Sequence, residues 1–149
     1  MLQTERLILR QWTNGDLAPF SKISGDAEVM EFYPKPLTEE ESYSMGTRIQ
    51  SLINERGWGF WAIEIPSQKK FIGFVGLHVP KESLPFFPCV EIGWRVAKEY
   101  WNQGYATEAA KESLRYAFIE LNLNEVVSFT TLANLRSQAV MQKIGMSNT

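Results

Sequence analysis

The chain has 149 residues, and hydrophobic residues make up 44% of it, so its length and composition suit one folded domain, residues 1–149, rather than a disordered segment. Its net charge of -2 excludes the basic face expected of a non-specific nucleic-acid binder. One cysteine and one histidine exclude an intrachain disulfide and argue against a structural zinc site, so we expect no metal.

The N-terminal residues predict no targeting or membrane segment. Met1 to Arg6 contain no basic region followed by an apolar run, as a signal peptide would. No apolar stretch of 18 residues occurs anywhere in the chain. We therefore expect a cytoplasmic protein without a membrane partner.

The first third of the chain predicts one strand and two helices. Arg6 to Trp12 alternates in the manner of a strand. Thr13 to Asp16 is a capping sequence for a short helix that ends at Gly25. A second helix is predicted from Glu39 to Glu55, because three carboxylates suit the positive end of a helix and apolar residues recur at helical spacing.

The middle of the chain predicts a group of strands. Trp58 to Ile65 and Phe71 to Val79 form a hairpin, and Cys89 to Val96 is a fourth strand. Between the last two, Pro80 to Pro88 contains three prolines and is predicted to be a loop.

The final third alternates helix and strand. An amphipathic helix is predicted from Glu108 to Leu121, a fifth strand from Glu125 to Leu132, and a last helix from Asn134 to Ile144. Since strands alternate with helices only in this half, the sheet should be mixed, and the fold class is α/β of the mixed α+β kind.

A glycine turn that opens a helix lies at Gln103 to Thr107. A helix start offers unpaired N–H groups and a partial positive charge, and Gly104 and Ala106 allow close backbone approach. This pattern suits a phosphate, although an ordinary glycine turn before a helix has the same appearance. No G-x-G-x-x-G or Gly-Lys-Ser/Thr motif is present, which disfavours a generic nucleotide-binding domain.

Five segments in order over nearly the whole chain resemble the GNAT (GCN5-related N-acetyltransferase) superfamily, and within it the RimJ/RimL-like branch of ribosomal-protein acetyltransferases. They are Thr4–Arg10, Phe71–Gly73, Val90–Trp94, Tyr100–Ala109, and Asn134–Ser137 followed by Met141–Met146. The superfamily signature begins with Gln or Arg, and Trp101 occupies that position, as is usual in this branch.

The resemblance implies a donor, acetyl-CoA, and a fold. It implies a central, mostly antiparallel mixed sheet with helices on both faces and a cleft where the fourth and fifth strands splay. Coenzyme A would lie in this cleft, with its pantetheine arm paired to the fourth strand and its pyrophosphate at the glycine turn. The cofactor-binding positions that it implies are Gly93, Trp94, Arg95, Val96, Gln103, Gly104, Tyr105, Ala106, Thr107, Asn134 and Ser137.

The same resemblance implies direct acetyl transfer to a primary amine. Glu91 is the candidate general base, the alternative being a surface glutamate paired with Arg95. Many members carry a tyrosine acid at the position of Met141, so Ser137 is the replacement candidate.

Two side chains are predicted at the acceptor side. They are Tyr33, between the first helices, and His78, for which a structural role is the alternative. The acceptor itself stays open between a protein N-terminus, an amino acid, a polyamine and an antibiotic.

Family members usually add a final pair of strands after the point where this sequence stops, at Thr149. The fifth strand would then be an open edge, which we expect another segment or a second copy of the chain to cover as a homodimer. The alternative to an enzyme is therefore a non-catalytic acyl-CoA-binding module or a truncated inactive paralogue.

Overall fold

The computed structural model describes residues 1–79, 90–128 and 134–146. In these ranges a five-stranded antiparallel sheet has the order β1-β2-β3-β4-β5. The strands are β1 (Leu2–Gln3), β2 (Ile8–Arg10), β3 (Phe60–Ile65), β4 (Lys70–His78) and β5 (Glu91–Val96). The helices are α1 (Leu17–Ser24), α2 (Glu39–Arg56), α3 (Tyr105–Arg115) and α4 (Leu135–Lys143).

Helices cover both faces of the sheet, as predicted. Phe74 of β4 contacts Phe20 of α1, with ring centroids 5.9 Å apart. On the opposite face Trp61 of β3 meets Tyr116, which follows α3, at 5.1 Å. Side chains alternate along a strand, so every second residue of β3, β4 and β5 faces α1 and α2.

The core lies between these layers. Leu7 and Leu9 are buried while their neighbour Ile8 is half-buried, which confirms the alternation predicted for the first strand. Each fully buried aliphatic or aromatic side chain contributes about 1.5–3 kcal/mol. The largest fully buried hydrophobic side chains are Phe20, Leu7, Leu9, Ile63, Ile72, Leu77, Ile92 and Val75.

Helix α2 begins and ends as its sequence predicts. The Thr38 hydroxyl accepts a hydrogen bond from the Glu41 N–H at 3.1 Å, and the Glu41 carboxylate accepts one from the Thr38 N–H at 2.9 Å. This reciprocal pair is a capping box. Gly57 ends the helix in the left-handed region at φ 85°, where glycine has no Cβ penalty.

Helix α3 differs from its prediction. It begins at Tyr105 rather than Glu108, and its α-helical part ends at Arg115, beyond which Tyr116–Glu120 forms a π-helical turn. Gly104 at φ 81° lets the chain enter the helix directly, so the residues predicted as a turn form the first helical turn instead. Strand β1 was also missed, because two residues carry no periodicity.

The predicted fifth strand is described only in part. Val127 bridges Glu91 in the parallel direction: the Ile92 N–H donates to the Val127 carbonyl at 2.8 Å, and the Val127 N–H donates to the Val90 carbonyl at 3.0 Å. This isolated bridge is the one parallel pairing in the described ranges, and the five named strands pair only antiparallel.

Two predictions fall on residues outside the described ranges: the loop from Pro80 to Pro88 and the rest of the fifth strand after Ser128. The homodimer through that edge therefore stays a prediction. Within the described ranges, no helix combines the length and apolar character needed to cross a bilayer.

Candidate active site

A cavity of about 420 Å³ lies where the end of β5, the start of α3 and the face of α4 meet. Its lining includes Trp94, Arg95 and Val96 from β5 and Gly104, Tyr105, Ala106 and Thr107 from the start of α3. Helix α4 and its cap contribute Asn134, Arg136, Ser137 and Lys143, and Val29 and Tyr33 complete the wall near α1. Most of the predicted cofactor-binding positions therefore line one cavity.

Among the residues that the structure describes, no main-chain group pairs with the outer edge of β5 beyond Ile92, and we call this stretch the open edge of β5. Ile92 pairs with the Val127 segment through its N–H, and its carbonyl accepts the Ser128 hydroxyl at 3.0 Å. Main-chain groups alternate between the two edges of a strand, so the N–H and C=O of Trp94 point to this same edge. An extended ligand in the cavity can thus add to β5 like a further strand.

The start of α3 supplies donors to the same cavity. The Glu108 N–H is bonded to the Gly104 carbonyl at 2.9 Å, which is the first bond of the helix. The N–H groups of Tyr105, Ala106 and Thr107 precede it and have no acceptor within the helix. Three converging amides with the helix dipole behind them suit a pyrophosphate.

A salt-bridged clamp holds this turn. The Glu108 carboxylate accepts hydrogen bonds from the Arg6 main-chain N–H at 2.9 Å, from Arg6 Nε at 2.7 Å, and from the Thr4 hydroxyl. Arg6 Nη1 also donates to the Gln103 carbonyl at 3.0 Å, and the guanidinium lies 4.2 Å over the Tyr105 ring. The N-terminal Thr4–Arg6 segment thus fixes the glycine turn, a role that sequence reasoning missed.

The clamp makes a prediction for Glu108→Gln. Burial opposes ionisation of Glu108, but the bonds from Thr4 and Arg6 outweigh it and hold its pKa below the ordinary glutamate value. The stabilisation is therefore present above the ordinary pKa and lost as pH falls through the lowered one. We expect Glu108→Gln to cost about 1–3 kcal/mol in urea unfolding at pH 7. Calorimetric titration should show coenzyme A binding weakened by roughly 3–10-fold.

The matched control for this prediction is Glu112→Gln, on the same helix. Glu112 pairs with Arg115, an i,i+3 surface contact at 2.7 Å that lies away from the turn. Its loss should cost under about 1 kcal/mol and leave coenzyme A affinity unchanged. Equal effects of the two variants would contradict the role assigned to the clamp.

Two cations line the opposite wall of the cavity. The Arg136 guanidinium lies 3.4 Å over the Trp101 ring, and Trp101 Nε1 donates to the Val96 carbonyl at 2.9 Å. Lys143 follows two turns later on α4. Arg136 belongs to the Asn134–Ser137 segment, but sequence reasoning gave it no role; positive side chains beside unpaired amides favour a ligand with several phosphates.

Asn134 and Ser137 sit at the start of α4. The Asn134 Oδ1 atom accepts the Ser137 N–H at 3.1 Å, which confirms the predicted N-cap. With Oδ1 engaged in the cap, the side-chain NH₂ of Asn134 can donate to a ligand. Both side chains line the cavity.

Glu91 lies at the first residue of β5, on the face that packs toward α1 and α2. A Cβ placed on Gly93 would lie 3.2 Å from Phe60 Cε1 and 3.8 Å from Glu91 Oε1, so the carboxylate stands beside bare backbone and an aromatic ring. Burial raises the pKa of Glu91 above the ordinary glutamate value. A partly buried carboxyl group with a raised pKa is a candidate for proton transfer.

Arg95 is not the partner of Glu91, so the ion pair in the alternative interpretation of Glu91 is not formed. The Arg95 side chain is 6% exposed and its Nη1 donates to the Ser24 hydroxyl at 3.1 Å. Its guanidinium packs among the Phe20, Phe74 and Tyr33 rings, 4.9 Å from that of Tyr33. Through this contact Arg95 holds Tyr33 at the wall of the cavity.

Four predicted residues lie outside the cavity, and Glu91 is one of them. His78 pairs in register with Glu91, and its ring stacks on Phe60 at 5.3 Å, so it lies on the Glu91 side of the sheet. Gly93 and Gln103 are not among the lining residues, and Gln103 Nε2 donates to the Glu99 carbonyl at 2.8 Å. Among the residues of the described ranges, no three acidic, histidine or cysteine side chains come together as a metal-binding group.

Comparison with known proteins bears on this arrangement. The family model described as "Acetyltransferase (GNAT) domain" matches residues 6–147. FsC-acetyl coenzyme A-N(2)-transacetylase of Aspergillus fumigatus is 35% identical over 134 residues, which are 85% of this chain but 56% of that protein. The uncharacterized N-acetyltransferase YoaA of Bacillus subtilis is 32% identical over 148 residues, covering 97% of this chain and 81% of the relative.

A solved structure supports the family match. The GNAT-family acetyltransferase of Bacillus anthracis superposes with a TM-score of 0.84 at 27% identity, covering 98% of this chain and 82% of that one. Together with the family match, this shows that the chain belongs to the GNAT family of acetyltransferases. The family's chemistry is acetyl-CoA-dependent acetyl transfer. The cavity is therefore the candidate site for coenzyme A.

Proposed function

We propose that the chain transfers the acetyl group of acetyl-CoA to a primary amine that reaches β5 from the side of α1 and α2. The observation that carries this proposal is that three features lie close together in the sequence, within residues 91–107. The open edge of β5 and the free amides of α3 border one cavity, and Glu91 starts the same strand. The name of the Aspergillus relative, which includes acetyl coenzyme A, supports the choice of donor.

The donor lies along β5 in this proposal. The pantetheine arm pairs with main-chain groups from Gly93 to Val96, and the Trp94 N–H polarises the thioester carbonyl as an oxyanion-hole donor. The amides from the Gln103–Thr107 turn hold the pyrophosphate. The NH₂ of Asn134 binds the arm, and the cations Arg136 and Lys143 attract the phosphates.

Acetyl transfer then needs three proton movements. Glu91 accepts a proton from the ammonium group, directly or through water, and the neutral nitrogen attacks the thioester carbon. The C–S bond breaks as the C–N bond forms, and the thiolate takes a proton from Ser137 or water. The remaining proton on the nitrogen passes to solvent. Tyr33 contacts the acceptor beside the cavity.

The proton balance favours an acceptor with a weakly basic amine. An α-amino group with a pKa near 8 is roughly 10% neutral at pH 7, whereas a lysine amine near 10.4 is neutral in about one molecule in 2,500. We infer that a protein N-terminus, as in the RimJ/RimL-like branch, or a small-molecule amine of low basicity suits this site. We also propose that the protein acts in the cytoplasm.

An amine panel assayed by thiol release tests the proposal. Peptides with different N-termini, free amino acids and polyamines are offered with acetyl-CoA, and at least one should release coenzyme A in step with acetylated product. Ser137→Ala should lower kcat by roughly 3–10-fold, the small effect expected when water can replace the acid. Coenzyme A binding without acetylation of any amine would instead favour a non-catalytic acyl-CoA-binding module.

A further inference from the structure

A second, smaller pocket of about 170 Å³ lies between α2 and the ends of β3 and β4. Its lining includes Arg48, Leu52 and Arg56 from α2, with Phe60 and His78 from the sheet. Side chains four residues apart share a face of a helix, so Arg48, Leu52 and Arg56 form one stripe over the pocket. The pocket belongs to the face of the sheet that carries Glu91.

The pocket adjoins the proposed reaction centre through two contacts. His78 pairs in register with Glu91, which places their Cβ atoms about 4.5–5.5 Å apart on the same face. Phe60 lines the pocket and also stands beside Gly93 and Glu91. A molecule whose amine reaches Glu91 therefore extends past Phe60 toward Arg48 and Arg56.

Within the described ranges, the two arginines are exposed cations without acidic partners. Neither Arg48 nor Arg56 forms an ion pair with any residue of the described ranges. Arg56 lies 5.4 Å over the Trp58 ring. Burial and then the charges of Arg56 and Arg48 lower the pKa of His78, which favours the neutral imidazole beside the two arginines. Glu91 is the only acidic residue among the paired residues of β4 and β5, and the proposed reaction uses it.

We propose that this pocket binds the acceptor through a carboxylate, so that the acceptor is a primary amine carrying a carboxylate several bonds away. This inference rests on the function proposed above and names its substrate class. Arg48 and Arg56 form charge-assisted hydrogen bonds with the carboxylate while the amine faces Glu91. Two guanidinium groups repel a second ammonium, so polyamines and other polycations are poor acceptors.

Three acceptors of equal chain length, each with a weakly basic α-amine, test the inference: glycylglycine, glycine ethylamide and glycine 2-aminoethylamide. With acetyl-CoA saturating, kcat/KM should be highest for the anionic amine, by roughly 10–100-fold over the neutral one, and lowest for the diamine. The preference should appear in KM. In the double variant Arg48→Gln/Arg56→Gln it should shrink to within about twofold, whereas Arg115→Gln, a surface arginine on α3, should leave it intact.

A second measurement does not need turnover. His78 is the one histidine of the chain, so its imidazole NMR signals are unambiguous. Arg48 and Arg56 from α2, Glu91 from β5 and the Phe60 ring from β3 surround it. In the coenzyme A complex, glycylglycine should raise the pKa of His78 by neutralising the positive charges of Arg48 and Arg56. The double variant should have the raised value without ligand.

The outcomes separate the two proposals. Equal kcat/KM for the three amines, or a preference for the diamine, would overturn the carboxylate pocket while leaving acetyl transfer in place. If no amine is acetylated, the proposed function fails. The pocket is then judged by the His78 titration alone, where an unchanged pKa with glycylglycine overturns it and a raised pKa supports it.

Discussion

Gly104→Val is expected to abolish measurable coenzyme A binding, a loss of at least roughly 100-fold in Kd. Gly104 adopts φ 81°, a conformation that costs a β-branched residue about 1–2 kcal/mol or more. A Cβ at this position would also lie 3.3 Å from Arg6 Nη2, so the clamp must shift. Both effects displace the amides of Tyr105, Ala106 and Thr107. Calorimetric titration with coenzyme A measures the loss.

The chain contains a matched control for this substitution. Gly57 adopts nearly the same conformation, φ 85°, at the end of α2, and a Cβ there would meet no atom within 4 Å. Gly57→Val should therefore lower thermal stability through the same backbone strain but leave coenzyme A affinity unchanged. Comparable loss of affinity in both variants would mean that Gly104 acts through global stability and not through the ligand site.

Glu91→Gln is expected to lower kcat by roughly 10²–10⁴-fold, the usual contribution of a positioned general base, with coenzyme A affinity retained. The amide keeps the shape of the side chain but cannot take a proton. Steady-state thiol release with the best acceptor of the panel measures the effect. Glu55→Gln, an exposed residue on α2, removes the same charge and should leave kcat within about twofold.

The pH profile gives Glu91 a second signature. Since burial raises its pKa, the acid limb of kcat/KM should lie above the ordinary glutamate value, and activity should fall as pH drops through it. The raised pKa also means that the folded state binds the proton more tightly than the unfolded state. Stability is therefore lost as pH rises through this window, and Glu91→Gln should be slightly more stable than the wild type at pH 7. A kcat that is unchanged in Glu91→Gln would remove Glu91 from the mechanism.

The fold was predictable where signals are local. The Thr38–Glu41 capping box and Gly57 set both ends of α2, and the Leu7/Leu9 alternation identified the first long strand. Such signals depend on a few neighbouring residues and act before tertiary packing. The start of α3 was misplaced because glycine before a helix was taken for a longer turn, when a single residue at positive φ is sufficient.

The site was predictable in the segments that carry family motifs and not in the contacts between them. The clamp between Arg6 and Glu108 spans 102 positions, and one sequence gives no sign that these two charges meet. The neighbours of Glu91 and His78 follow from the register of β4 and β5, which is a property of the assembled sheet. The presence of Arg48 and Arg56 over the same pocket depends on how α2 packs, so the acceptor side was the least readable part.

Amide hydrogen exchange of the free chain and of its coenzyme A complex tests the central claim most directly. The claim is that coenzyme A spans the open edge of β5 and the first turn of α3. In the free chain the amides of Tyr105, Ala106 and Thr107 lack helical acceptors and should exchange fast. Coenzyme A should slow these three and Trp94 while leaving the first turn of α2 unchanged. Binding that protects none of these amides would contradict the placement of the donor.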